Sequence, residues 1–177
     1  MLSSYPIGKT SSEFLNYAYF KEYNVPTKVV RPSSIQGLYQ KYSEDRVFNQ
    51  ILRCIIENKN LILKSKGESQ KSIIYTLDAV MGILIVLFKG ENGEAYNLTN
   101  MTTFFSIYNL ASTLFKKFNS NLKIEFDIKE ENETGYLPPL SILQSTEKIE
   151  KLGWEPITNI YDIYDIDIRR FKEYGKN

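Results

Sequence analysis

The chain has 177 residues, of which 42% are hydrophobic and 24% charged, a composition typical of a folded globular protein. Its formal net charge of +1 gives no electrostatic reason to expect nucleic acid or an anionic membrane as a partner. Histidine is absent and cysteine occurs once, which excludes Ser-His-Asp and Cys-His catalysis and an internal disulfide. We therefore predict no metal site. With no signal-peptide pattern and no apolar run of membrane-spanning length, we expect a soluble cytoplasmic protein.

The first quarter of the chain predicts a helix, a strand and a long polar loop. Apolar residues from Phe14 onward recur at helical spacing after the capping-type residues 11–13, and this helix ends near 24–26. Residues 27–31 form a short β-branched strand, which Pro32 ends. The polar loop over 33–45 has the length and composition of a binding segment.

Helices and strands alternate through the rest of the chain, which favours an α/β fold with some parallel pairing. We predict helices over 46–58, 77–89, 103–118, 145–152 and 161–174, and strands over 61–64, 72–76, 94–99 and 122–128. A loop crosses 130–139. The helix over 77–89 is apolar nearly all round, which indicates a buried helix. Asp78 and Trp154 are interpreted as structural residues.

Tyr5 and Lys9 form a Tyr-x-x-x-Lys pair at the start of the first predicted helix. The four-residue spacing places both side chains on one helical face. An ordinary helix start is the alternative, because this spacing also arises by chance in a chain with 13 tyrosines. The order of the features that follow favours the catalytic interpretation.

The stretch YPIGKTSSEFLNYAYFKEYNVPTKVVRPSSIQG resembles the second half of extended short-chain dehydrogenase/reductases, the NAD-dependent nucleotide-sugar epimerase/dehydratase group. The resemblance continues through GESQKSIIYTLDAV and GEAYNLTN and ends at LGWEP, so it covers essentially the whole chain. It implies an α/β fold made of a partial Rossmann sheet and the small substrate-binding lobe. In this single truncated domain, 1–177, residues 1–40 would carry the Tyr/Lys helix, strand and loop. Residues 41–177 would form the substrate-binding lobe and the remaining sheet elements.

The resemblance also implies catalytic and cofactor-binding roles. Tyr5 would exchange a proton with a sugar hydroxyl while hydride moves to or from NAD or NADP. The Lys9 ammonium would favour the Tyr5 phenolate and bind the cofactor ribose. The backbone at Pro32 and Ser33 would lie along the nicotinamide.

Two substrate-binding positions depart from the family pattern. Ser34 stands where the family presents Asn to the substrate, and Lys71 where an Arg binds the nucleotide diphosphate. Lys71 keeps the charge without the bidentate fork, and a solvated surface lysine is its alternative interpretation. The resemblance implies a nucleoside-diphosphate sugar as substrate, with epimerisation, dehydration and reduction all left open. A non-catalytic remnant, acting as a sugar-nucleotide-binding or structural domain, is the alternative function.

The glycine-rich turn of a dinucleotide-binding unit is not found in the sequence. None of the nine glycines falls into Gly-x-x-Gly-x-x-Gly or Gly-x-Gly-x-x-Gly. The family places this turn ahead of the Tyr, and four residues precede Tyr5. We therefore expect a C-terminal portion of such an enzyme, from a truncated frame, a split gene or cleavage, that binds no NAD(P) alone. An open sheet edge predicts a partner, either a second copy or a complementing N-terminal fragment.

Overall fold

Helices and short strands alternate through the chain, of which the computed structural model describes residues 4–38, 40–128 and 139–175. The helices are α1 (Ser4–Tyr23), α2 (Val47–Glu57), α3 (Thr76–Lys89), α4 (Ile107–Phe118), α5 (Glu147–Glu150) and α6 (Ile160–Tyr174), with a 3-10 turn at Met101–Thr103. The strands are β1 (Val29–Pro32), β2 (Ser34–Gln36), β3 (Leu61–Leu63), β4 (Gln70–Lys71), β5 (Ile73–Tyr75), β6 (Ala95–Leu98), β7 (Phe105–Ser106) and β8 (Ile124–Phe126). This order confirms the predicted α/β class.

Most of the strand pairing is parallel. β1 pairs with β6 from Val29↔Ala95 to Pro32↔Leu98, β2 pairs with β5, and β3 pairs with β8. The short strands β4 and β7 are antiparallel. Parallel neighbours require long crossovers, and here helices supply them and cover the sheet faces.

β5 lies between two hydrophobic clusters. Ile73 and Tyr75 belong to one cluster, together with side chains of α2, α4 and α6, while Ile74 belongs to the other with Trp154 and side chains of α3 and β6. Successive strand residues point to opposite faces, so a strand that is apolar at every position joins two cores. All three residues of β5 are buried accordingly.

Asp78 and Trp154 have the structural role that the sequence indicated. Trp154 is buried, and its Nε1 donates a hydrogen bond to the backbone oxygen of Asp78 at 3.0 Å. The buried Asp78 carboxylate accepts a hydrogen bond from the backbone N–H of Thr158 at 3.0 Å. These two bonds fasten the first turn of α3 to the segment that precedes α6.

Several predicted boundaries are wrong; α4, for example, begins at Ile107 and not at residue 103. α1 begins at Ser4, so residues 11–13 lie inside the helix and do not cap it. Ser12 Oγ instead donates to the backbone oxygen of Gly8 one turn earlier, at 2.9 Å. The polar loop contains β2, because Gln36 and its neighbours find a parallel partner in β5. The loop predicted over 130–139 lies outside the described residues except for Pro139.

The predicted burial of α3 is also wrong. Its inner face, which includes Ala79, Gly82 and Val86, is buried, but its outer face exposes large apolar side chains. These are Leu77, Val80, Met81, Ile83, Leu84, Leu87 and Phe88. α1 has no buried residue in this structure, although it also carries many apolar side chains. Exposed apolar patches of this kind are typical of interaction surfaces and ligand-binding grooves. None of the described helices has the length and hydropathy needed to cross a bilayer.

Candidate functional site

A cleft of about 850 Å³ opens beside the carboxyl ends of β1 and β6. Parallel sheets bind ligands at this edge, because the loops that follow the strands converge there. Five of the six predicted site residues line the cleft: Tyr5, Pro32, Ser33, Ser34 and Lys71. They come from α1, from the β1–β2 junction and from β4, so the fold brings together residues that are distant in the chain.

The sixth predicted residue, Lys9, lies next to Tyr5 but is not part of the cleft lining. Lys9 Nζ is 5.5 Å from the centroid of the Tyr5 ring, within the range of a cation–π contact. The helical spacing of four residues therefore brings the ammonium close to the face of the Tyr5 ring.

A bidentate ion pair holds α1 against β1. Arg31 Nε donates to Glu13 Oε1 at 2.9 Å, and Arg31 Nη2 contacts Glu13 Oε2. Hydrogen bonding from Arg31 lowers the pKa of Glu13 below its ordinary value. Thr27 Oγ1 adds a hydrogen bond to the backbone oxygen of Asn16 at 2.9 Å. These contacts fix the helix that carries Tyr5 and Lys9 beside the end of β1.

Two cationic residues, Lys71 and Arg46, line the cleft. Lys71 lies in β4, and Arg46 is the N-cap residue of α2, where it also pairs with Glu44 at 2.6 Å. No side chain caps this helix end, and its first turn holds no acidic residue. The described residues that line the cleft include no Asp or Glu. Two cations and an uncapped helix N-terminus form an environment that favours a phosphate or another anion.

Three side-chain hydroxyls of residues in the cleft lining have no hydrogen-bond partner among the described residues: those of Ser33, Ser72 and Thr99. Ser72 is 5% exposed and Thr99 is 1% exposed. Ser72, Thr99 and Arg46 were not predicted from the sequence as site residues. Thr99 follows the carboxyl end of β6 and Ser72 follows Lys71, so knowledge of the strand order would have indicated both.

The fold and the cleft together define a structural class: an α/β protein with a Tyr/Lys helix beside the carboxyl ends of parallel strands. Comparison with known sequences identifies the family. Residues 1–99, more than half of the chain, match the NAD dependent epimerase/dehydratase family, and the chain belongs to that family.

Relatives and solved structures agree with this assignment. The chain is 30% identical over 161 residues to the dTDP-D-glucose 4,6-dehydratase of Bos taurus, an alignment covering 86% of this chain and 42% of the relative. A Streptomyces venezuelae dTDP-glucose 4,6-dehydratase, solved with NAD bound, superposes with a TM-score of 0.78 at 20% identity, over 96% of this chain and 51% of that chain. The UDP-glucuronic acid 4-epimerase of Bacillus cereus, in complex with UDP-glucuronic acid and NAD, superposes with a TM-score of 0.80 at 22% identity. The superposition covers 98% of this chain and 54% of that chain. These superpositions confirm the short-chain dehydrogenase-type fold. The chain spans about half the length of these relatives.

Proposed function

We propose that this chain is the nucleotide-sugar-binding half of an NAD-dependent epimerase or dehydratase. The observation that carries the proposal is the single cleft shared by Tyr5, Ser34 and Lys71 at the carboxyl edge of β1 and β6. The relatives named as dTDP-glucose dehydratases and UDP-sugar epimerases support a nucleoside-diphosphate sugar as the ligand.

Different residues of the cleft would bind the diphosphate and the sugar of such a ligand. Lys71, Arg46 and the N-terminus of α2 would bind the diphosphate, because they are the cationic part of a lining without acidic residues. Tyr5 would lie beside the sugar and exchange a proton with one of its hydroxyls, with Lys9 stabilising the phenolate. Ser34 would donate a hydroxyl hydrogen bond where the family uses an amide.

The residues present fit only one end of the cofactor. Tyr5, Lys9, Pro32 and Ser33 lie together and would hold the nicotinamide ribose and ring of NAD or NADP. The cofactor would accept and return the hydride. No glycine-rich turn leads into a helix among the described residues, so nothing there would bind the pyrophosphate. We propose that the chain alone binds NAD(P) too weakly for catalysis.

We propose that a complementing N-terminal fragment supplies this missing part. Among the described strands, β6 is the neighbour of β1, and the other edge of β1 carries no strand. A groove of about 630 Å³ lies between α1 and the paired strands β1 and β6, lined by Phe14, Tyr17 and Ala95 among others. An open parallel edge beside apolar side chains suits an added strand and its helix. A second copy of this chain is the alternative occupant, and sedimentation of the isolated chain separates the two.

The non-catalytic alternative has a specific observation in its favour. Ser34 replaces the family's Asn and Lys71 replaces its Arg, so both substrate contacts differ from the family pattern. A remnant of this kind would still bind nucleotide sugar. It would stay inactive after addition of a glycine-rich N-terminal half from a relative, whereas an enzyme half would regain cofactor-dependent turnover.

Titration of the wild-type chain with dTDP-glucose, followed by amide NMR shifts, tests the proposed site. We expect shifts around Ser34 and Lys71, and about fivefold weaker binding in Lys71→Ala, because a solvent-exposed charge contact contributes about 1 kcal/mol or less. Lys66→Ala is the matched control, since Lys66 is an exposed lysine in the preceding turn and does not line the cleft. An absence of shifts at millimolar ligand would refute the proposal.

A further inference from the structure

The outer face of α3 is apolar along the length of the helix. Seven of its large side chains, from Leu77 to Phe88, are between 40% and 80% exposed. Asp78 is the only charged residue from 77 to 88, and its buried carboxylate accepts the hydrogen bond from Thr158. The exposed face over these residues therefore carries no charge.

The spacing of the exposed side chains shows which way this face points. With about 100° per residue, the four buried residues of α3 centre on the direction of the sheet. Four exposed residues lie within about 45° of the opposite direction, and we call them the outer stripe: Leu77, Val80, Leu84 and Phe88. Ile83 and Leu87 lie on one flank of this stripe and Met81 lies on the other.

An element added to the same layer as α3 would not cover the outer stripe. A strand that joins β1 brings its helix alongside α1 or α3, because helices in such folds lie side by side on the sheet. A neighbour of this kind contacts a flank of α3. The outer stripe points away from the sheet, so its partner must pack on top of the helix.

The size and composition of the face match a contact between two copies of the chain. The seven exposed side chains amount to about 600 Å² on one copy, and a standard interface buries about 800 Å² on each partner. Homodimer interfaces are more apolar than contacts between proteins that also exist apart. An uncharged face brings no like-charge repulsion when it meets its own copy, and twofold dimers are the commonest assembly of identical chains.

We propose that the chain forms a twofold dimer in which the outer stripe of α3 in one protomer packs on the outer stripe of its partner. The spacing of three or four residues keeps the stripe in line with the helix axis over about 17 Å. Ile83, Leu87 and Met81 form the rim of this contact, where single substitutions have small effects.

This contact is separate from the groove beside α1. α3 packs on the sheet face that carries Tyr96 and Leu98, whereas the groove is lined by Ala95 on the opposite face. A dimer through α3 therefore leaves both the groove and the edge of β1 accessible to an N-terminal fragment.

Sedimentation velocity over a range of protein concentrations tests the dimer. We expect the wild type to sediment as a dimer at micromolar concentration. Leu84→Glu and Phe88→Glu should each weaken dimerisation about 100-fold, because twofold symmetry would bury two unpaired carboxylates for each substitution. Phe14→Glu is the matched control, since Phe14 is 70% exposed but lies on α1 and lines the groove. It should leave dimerisation unchanged.

Thermal unfolding separates a lost contact from a lost fold. The wild-type midpoint should rise with protein concentration, whereas the midpoints of Leu84→Glu and Phe88→Glu should not depend on it. Both variants should keep the wild-type circular dichroism, because both replace exposed side chains. Loss of folded structure in both variants would show that the outer stripe packs within one protomer and would refute the dimer.

Other results would also overturn the proposal. They are a wild type that stays monomeric at every concentration, a dimer that survives both α3 substitutions, and open-ended polymers in place of a closed dimer. A monomer whose α3 gains hydrogen-exchange protection only with phosphatidylcholine vesicles, or only with an N-terminal half from a relative, would assign the outer stripe to that partner. None of these results bears on nucleotide-sugar binding, which the NMR titration tests separately.

Discussion

Loss of the Glu13–Arg31 ion pair should loosen α1 without unfolding the rest of the protein. The perturbation is Glu13→Gln, which keeps the size of the side chain and removes its charge. α1 has no buried residue, so polar contacts such as this pair carry much of its attachment. The side chains of Arg31 and Glu13 are 47% and 32% exposed, and water screens a pair of this kind to about 1 kcal/mol or less. The free-energy change corresponds to about fivefold more frequent opening of α1.

Amide hydrogen exchange of α1 peptides, read by mass spectrometry, measures this opening. We expect about fivefold faster exchange over α1 in Glu13→Gln and unchanged protection in α2 and α4. Glu22→Gln is the matched control: it removes the same charge from the same helix, and Glu22 takes part in none of the ion pairs of the described residues. Equal exchange in the two variants would refute the role of the pair.

The pH dependence of the same contact has a defined sign. The pKa of Glu13 is lowered in the folded protein from the ordinary value of 4.5 by its hydrogen bonds to Arg31. A carboxyl whose pKa is lower in the folded protein than in the unfolded chain stabilises the folded state fully at any pH above its unfolded-state pKa. That contribution is lost as the pH falls through the folded-state pKa. Exchange of α1 in the wild type, corrected for the intrinsic rate, should therefore approach that of Glu13→Gln below about pH 4.5. A constant difference down to pH 2 would contradict this cause of the shift.

Three stability predictions rest on packing: denaturant unfolding measures the first two, and amide hydrogen exchange measures the third. Leu114→Ala should lower the free energy of unfolding by about 2–5 kcal/mol because Leu114 is fully buried. Leu87→Ala, at an exposed position, should change the free energy of unfolding by less than about 0.5 kcal/mol. Equal losses in the two variants would contradict the assignment of Leu114 to the core. Gly37→Ala should cost about 1–3 kcal/mol, since Gly37 has a φ of +122° and an added Cβ would lie 2.6 Å from the Tyr75 ring; a neutral result would contradict this geometry. Gly8→Ala should stabilise α1 by up to about 1 kcal/mol because an added Cβ meets no atom within 4 Å, and slower exchange over α1 would show it.

Much of the fold could be predicted from local pattern. Apolar residues recur at helical spacing in α2, α4 and α6, and β1 is a run of β-branched residues. These patterns predict the type of each element from the sequence alone. Motif order indicated the family through Tyr5, Lys9 and the segments around Lys71, which the family match over residues 1–99 supports. The roles of the six predicted site residues, and the boundary at residue 40, stay predictions.

Burial and the composition of the cleft lining required the tertiary structure. α3 is apolar nearly all round, a pattern that indicates a buried helix, yet burial depends on what lies opposite each face, and one face meets no other described element. Ser72 and Thr99 carry no local signal, because a hydroxyl after a strand is common in any sequence. Local sequence determined the type of each element through its periodicity. Strand pairing, a relation between residues dozens of positions apart, decided that Ser33, Ser72 and Thr99 line one cleft together with Tyr5 and Lys71.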